Sequence, residues 1–282
     1  MSEQNSQNYK AKSFAMNDDA ALYQKSNCYP RRDAVDVLTE FLPKFRWKEG
    51  KKRIFDIGCA DGSVTNIISA FCNNDYEVFE ACDINERAVK YATEYYGTDK
   101  MIFRVMDIEG QLPKEMNGKF DNVFSFYTLQ WIKNQEKAFQ NIYDLMAKDG
   151  ECLLTLLARI PVYSLFNALK DTDTWGYLLK YINQFISPYH DVSDPDVIIQ
   201  SLLEKVGFQY VDVRCRQKKY EFKDIQQLRN ILEAVSPFNV DKKLYEQFFD
   251  DIMEVAEDMR IIDRRTKTAT FHYNLIVIHC RK

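Results

Sequence analysis

The stretch Arg53-Ile54-Phe55-Asp56-Ile57-Gly58-Cys59-Ala60-Asp61-Gly62-Ser63 decides the fold. A short apolar run, Arg53–Ile57, ends abruptly at a glycine, as a buried parallel strand does. Gly58 lets the chain turn with positive φ. Ala60 and Gly62 are small enough for a ligand to approach the backbone. A helix starting at Ser63 would aim its free N–H groups at that ligand.

Working outward, strand and helix alternate at short spacing. A helix is expected over Ser63–Phe71, a strand over Tyr76–Cys82 and a helix over Asn85–Tyr96. Strands follow at Met101–Met106 and Asp121–Tyr127, a helix at Gln135–Met146 and a strand at Glu151–Leu157. This alternation predicts an α/β chain with a doubly wound, mostly parallel sheet. Ligands of such sheets sit beyond the carboxyl ends of the strands, where Gly58, Asp83, Asp107 and Phe126 fall. After Leu157 the rhythm changes. Pro161–Ile186 reads as one or two helices rich in rings, Pro195–Val206 as another, and Asp224–Met259 as mostly helical. Strands at Phe208–Arg216 and Phe271–Cys280 bring the count to seven. The late helices, inserted at about 158–206 and 222–268, are expected to form a cap over the sheet edge. Upstream, Ala20–Phe45 has helical spacing, with Pro30 near the start of the run. Residues 1–19 read as a disordered tail, leaving 20–282 as one domain.

The loop chemistry narrows the ligand. A dinucleotide fold wants G-x-G-x-x-G to admit a pyrophosphate. This chain has G-x-x-x-G flanked by Asp56 and Asp61, and two carboxylates would repel a pyrophosphate. They suit a ligand with an ammonium and a sulfonium, which is S-adenosylmethionine. Asp83, 21 residues after Gly62, stands where an acid binds ribose hydroxyls. Asp107 and Ile108 suit adenine, one by accepting from its amine and the other by packing on the ring. The expected donor set is Asp56, Gly58, Cys59, Ala60, Asp61, Gly62, Asp83, Ile84, Asp107, Ile108, Ser125 and Phe126. Ser125–Tyr127 would lie close to the transferred methyl.

Bulk properties bound the alternatives. A net charge of −4 with only short basic clusters, such as Arg31–Arg32 and Arg264–Arg265, argues against nucleic acid. Seven cysteines without a C-x-x-C pair read as reduced thiols. Three scattered histidines make no metal pattern. No signal peptide or membrane span is evident, so a cytoplasmic location is the expectation. Nothing specifies an oligomeric state.

Four segments carry a family resemblance. Phe55–Thr65 (F-D-I-G-C-A-D-G-S-V-T), Val123–Ile132 (V-F-S-F-Y-T-L-Q-W-I), Phe185–Asp191 (F-I-S-P-Y-H-D) and the N-terminal L-Y-Q-K-S-N…R-R-D-A (Leu22–Ala34) resemble the arthropod juvenile hormone acid O-methyltransferases. The likeness runs roughly from Ala20 to the C-terminus. It implies a class I, Rossmann-like methyltransferase fold and a small apolar acid as acceptor, farnesoic acid or juvenile hormone acid, converted to its methyl ester. Trp131 would help hold the acceptor carboxylate, with Gln130 as a second, amide donor where relatives often carry His. Tyr23 and Tyr127 join Trp131 in the expected substrate set. One departure stands out: Pro30 occupies the place of a family Gln that orients the carboxylate, and proline has no donor. Alternatives are a same-fold enzyme for another small or carrier-bound acid, or a weakly active isoprenoid-acid binder.

Overall fold

A computed structural model describes residues 16–282. Two N-terminal helices, α1 (Ala20–Ser26) and α2 (Cys28–Phe41), precede β1 (Lys52–Ile57), α3 (Ser63–Phe71), β2 (Tyr76–Asp83), α4 (Glu86–Tyr96) and β3 (Met101–Val105). Then come β4 (Phe120–Phe126), α5 (Gln135–Leu145), β5 (Met146–Leu157), α6 (Pro161–Leu169), α7 (Gly176–Leu179) and α8 (Pro195–Val206). The chain closes with β6 (Val211–Phe222), α9 (Ile225–Ala234), α10 (Tyr245–Asp258), β7 (Ile262–Asp263) and β8 (Thr268–Arg281).

The sheet runs β3-β2-β1-β4-β5-β8-β6. β1 to β5 are parallel, and β8 runs antiparallel between β5 and β6. Seven strands were expected. An eighth, the two-residue β7, pairs with the start of β8. Strand alternation sends neighbours to opposite faces. Ile54, Phe79, Phe124 and Val277 join the core that α2, α3 and α6 cover. Phe55, Val123, Leu154 and Ile278 join the core under α5 and α8.

Three expectations need revision. The helical run from Ala20 breaks at Asn27, whose backbone N–H still bonds Tyr23 O. Pro30 lies in the first turn of α2, where no helical N–H is needed. Of the expected tail, residues 1–15 lie outside the described residues, whereas residues 16–19 make specific contacts. Asn17 bonds Ala234 O and Glu233 O. Asp18 accepts from Asn85, and Asp19 caps α1. Finally, α8 packs on α5 and β6 rather than above the sheet mouth. Its buried residues Ile199 and Leu203 belong to the lower core. By contrast, α6 meets α10, and α9 meets α1.

Candidate active site

A cavity of about 320 Å³ opens at the carboxyl ends of β1, β2, β3 and β4. Its walls come from four successive strand ends: Ile57, Gly58, Ala60 and Asp61; Cys82–Asn85; Met106–Glu109; and Phe126–Thr128. Met16, Asn17, Ala20, Tyr23, Trp131 and Phe185 complete the wall. Below lies the loop quoted at the outset. Gly58 N–H and Cys59 N–H both bond Cys82 O, at 2.7 and 2.9 Å. Ala60 N–H bonds Asp83 Oδ2 at 3.0 Å, and Asn85 N–H bonds Asp83 Oδ1 at 2.9 Å. The Asp83 carboxylate is thereby locked at the end of β2, with lone pairs still facing the cavity. Gly58 has φ 78°, and a Cβ there would collide with the Thr128 side chain. Only glycine fits both demands.

The two loop acids part company. Asp61 faces the cavity and is buried. Its Oδ1 accepts from Asn27 Nδ2 (3.2 Å) and Ser63 Oγ (3.0 Å), while Oδ2 has no partner. A buried carboxylate oxygen left without a donor calls for one from a ligand, and an ammonium group supplies it. Burial pushes the Asp61 carboxyl up to about 6. Asp56, expected to share this task, is absent from the cavity wall. It points to the same face as Ile54, where α3 covers it and Thr65 Oγ1 donates to it at 2.6 Å. Burial, partly offset by that hydrogen bond, pushes Asp56 up to about 7.

The other expected donor residues divide likewise. Ile84, Asp107, Ile108 and Phe126 are on the wall. Asn141 Nδ2 holds the Ile108 carbonyl at 2.6 Å. Cys59, Gly62 and Ser125 are behind it. Gly62 is the left-handed N-cap of α3, and Ser125 Oγ donates to Ile57 O. The residues present fit S-adenosylmethionine: an acid with a partnerless oxygen (Asp61), a carboxylate locked at the end of β2 (Asp83) and an apolar wall at Ile108.

A second, smaller chamber of about 20 Å³ is bounded partly by the same side chains, Met16, Tyr23, Tyr127 and Trp131. The remaining walls are Tyr29, Pro30, Gln130, Leu157, Ile160, Val162, Tyr163 and Val235. Among the described residues, no lysine or arginine lines either space. Trp131 is half-buried, ends a 3₁₀ turn and packs edge-on to Tyr163. Tyr127 has φ 59°, a conformation disfavoured for a side chain of its size. Three bonds hold it there: its N–H to Thr155 O, its hydroxyl to Asp33 Oδ2 at 2.5 Å, and its carbonyl accepting from Gln130 Nε2 at 2.6 Å.

Gln130 lines the second chamber, but part of its amide is already committed. Its Oε1 also accepts from Leu157 N–H. One of its two amide N–H donors and its Oε1 thus serve the backbone, so Gln130 positions Tyr127 and keeps a second amide N–H. Tyr127 lines both spaces, and its hydroxyl is already committed to Asp33. Sequence reasoning missed Asn27, Asn85, Thr128, Tyr29 and Tyr163. Only the break at Asn27 had a local signal, a capping-type residue between two helical runs.

The comparisons agree with this geometry. Residues 28–213 match the family model described as a methyltransferase domain. Juvenile hormone acid O-methyltransferase of Bombyx mori is 40% identical over 94% of this chain and 98% of its own length. The Drosophila melanogaster protein of the same name is 32% identical, covering 94% and 92%. Among solved structures, Haemonchus contortus phosphoethanolamine N-methyltransferase 2 in complex with S-adenosyl-L-methionine superposes with a TM-score of 0.55. It is 14% identical and covers 93% of this chain and 56% of that one. A SAM-dependent methyltransferase from Archaeoglobus fulgidus gives a TM-score of 0.50 at 17% identity, covering 93% and 98%. These likenesses concern the fold alone. Sequence match and cavity together establish that the chain belongs to the juvenile hormone acid O-methyltransferase family within the methyltransferase-domain proteins, with S-adenosylmethionine as its methyl donor.

Proposed function

We propose that this protein methylates the carboxylate of an apolar isoprenoid acid, farnesoic acid or juvenile hormone acid, giving the methyl ester. One observation carries the reading. The donor cavity adjoins a chamber walled by Leu157, Ile160, Val162, Val235 and aromatic rings, with no cation among the described residues of its wall. An acid with a long apolar tail suits such walls, since each buried CH₂ contributes about 0.8 kcal/mol. The kinship with relatives named for juvenile hormone acid points the same way.

The bound donor supplies an electrophilic methyl group. A carboxylate is already ionised at neutral pH, so no general base is needed. The chain's task is to align the acid and exclude water. Asp61 and Asp83 hold the ammonium and ribose ends of the donor. Trp131 Nε1–H, which bonds no described residue, donates to the acceptor carboxylate. A lysine or arginine clamp would stabilise the carboxylate charge and blunt its attack, so a wall without cations is chemically apt. Asp33 and Gln130 hold Tyr127 as a rigid floor between the two spaces.

The chamber has room for about one water, so the tail enters by displacing side chains at its rim, Met16 and Val235 among them. Purified protein given labelled donor and a mixed pool of acids tests the reading by product mass. Methyl esters of isoprenoid acids are expected. Equal turnover of short polar acids would overturn it, and preference for a carrier-bound acid would favour the kind of reaction named for more distant relatives, malonyl-[acyl-carrier protein] O-methylation.

A further inference from the structure

The acceptor chamber has a polar feature that the mechanism above does not use. Two tyrosines from distant parts of the chain, Tyr29 in α2 and Tyr163 in α6, line it and are almost completely buried. The Tyr163 hydroxyl has no hydrogen-bond partner. The Ser187 amide approaches its oxygen without completing a bond, so the phenolic proton is free. No hydrogen bond to the Tyr29 hydroxyl is formed among the described residues. Its ring sits edge-on to Tyr127 at 5.6 Å and leans on Tyr220 and Tyr273. The Tyr163 ring sits edge-on to Trp131 at 6.1 Å. Each phenol is therefore one ring away from a side chain that also borders the donor cavity.

The buried, partnerless Tyr163 hydroxyl is costly, and an apolar tail laid over it would leave that cost standing. A polar group on the acceptor removes it. We propose that Tyr29 and Tyr163 are substrate-binding residues that donate hydrogen bonds to the acceptor carboxylate, joining Trp131 as neutral donors at the junction of the two cavities.

This rests on the acceptor reading above and adds the seat of the acid's head group. Burial pushes both phenols' pKa up from its ordinary, already alkaline range, so each keeps its proton while the carboxylate does not. The adjacent Pro30 supplies neither a side-chain donor nor an N–H, which leaves the polar contact on this part of α2 to Tyr29. A neutral donor also suits the reaction. Negative charge drains from the carboxylate as the ester forms, so such a bond is stronger before transfer than during it. Its loss should weaken binding more than turnover.

The test uses Tyr29→Phe and Tyr163→Phe in the full-length protein, with thermal melting as a control for folding. Calorimetry with farnesoic acid and with farnesol, in the absence of donor, compares a charged and a neutral head on one chain. Each variant is expected to lose about tenfold in affinity for the acid and to bind the alcohol nearly as before. In turnover, KM should rise about tenfold while kcat stays within about twofold. Equal weakening toward acid and alcohol assigns the phenols to packing or to the tail and overturns the proposal, as does unchanged acid binding in both variants. A wild-type protein that binds neither compound and methylates no isoprenoid acid overturns the acceptor reading itself, which is a distinguishable failure.

Discussion

The donor and acceptor spaces share side chains but are built by opposite means. The donor cavity is carved by backbone. Four strand ends, a left-handed glycine and a carboxylate locked by two N–H groups hold it open at about 320 Å³. The acceptor chamber is lined by side chains from α2, the Leu129–Trp131 turn, the end of β5, α6 and the end of α9, and measures about 20 Å³. Hydrogen-bonded backbone keeps its shape without a ligand, whereas facing apolar side chains close up to avoid a void. The donor side is therefore preformed. The acceptor side is shaped by what enters it.

The sharpest way to break this contrast is at the backbone. Gly58→Val should abolish measurable donor binding, a loss on the order of a hundredfold or more. It forces a β-branched residue into positive φ and into Thr128. Titration calorimetry that found normal affinity would refute the preformed loop. Next in size is Asp83→Ala, which removes the carboxylate proposed to accept from the ribose and frees Ala60 N–H and Asn85 N–H. Donor affinity should fall about ten- to a hundredfold. Trp131→Phe probes the other side. Esterification should drop about tenfold with donor affinity within about twofold; equal loss of both would show that the two spaces are one functional unit.

The smallest effect is a pH dependence. Asp61 must be ionised to take the ammonium, so donor affinity should rise as pH increases through about 6 and flatten above it. Asp61→Asn should bind more weakly with a flat profile. Stability should move the opposite way through Asp56. Burial holds its carboxyl at about 7 in the folded chain, well above the ordinary carboxylate range. The proton is held more tightly in the folded state, so this contribution is complete below about 4 and lost as pH rises through 7. Chemical denaturation of Asp56→Asn at pH 5 and pH 8 should show a smaller difference than the wild type.

Much of the donor side was legible in the sequence because its determinants are local. Gly58, Asp61, Asp83 and Asp107 follow strands whose apolar runs are recognisable, and they end where such sheets bind ligands. Asp56 shows where local reading stops. Its neighbours announce a ligand loop, yet the two-residue strand period turns it under α3 toward Thr65. Gln130 shows the same limit. An amide next to Trp131 suggests a donor, but only the folded chain brings Tyr127 O and Leu157 N–H to its two ends. Residues 16–19 read as tail by composition, and their contacts with α9 and Asn85 depend on elements some 70 to 220 positions away.

The sequence by itself determined the α/β alternation, the glycine turn, the acidic ligand loop and the kinship with a methyltransferase family, because each depends on residues within one turn or one strand of each other. Tertiary structure alone decided which acid of that loop lines the large cavity, that Tyr127 is pinned by Asp33, and that Tyr29 and Tyr163 line one chamber with the Tyr163 hydroxyl unpartnered. Those outcomes depend on which face of an element is covered, and by what, and that is settled only when segments remote in the chain pack together.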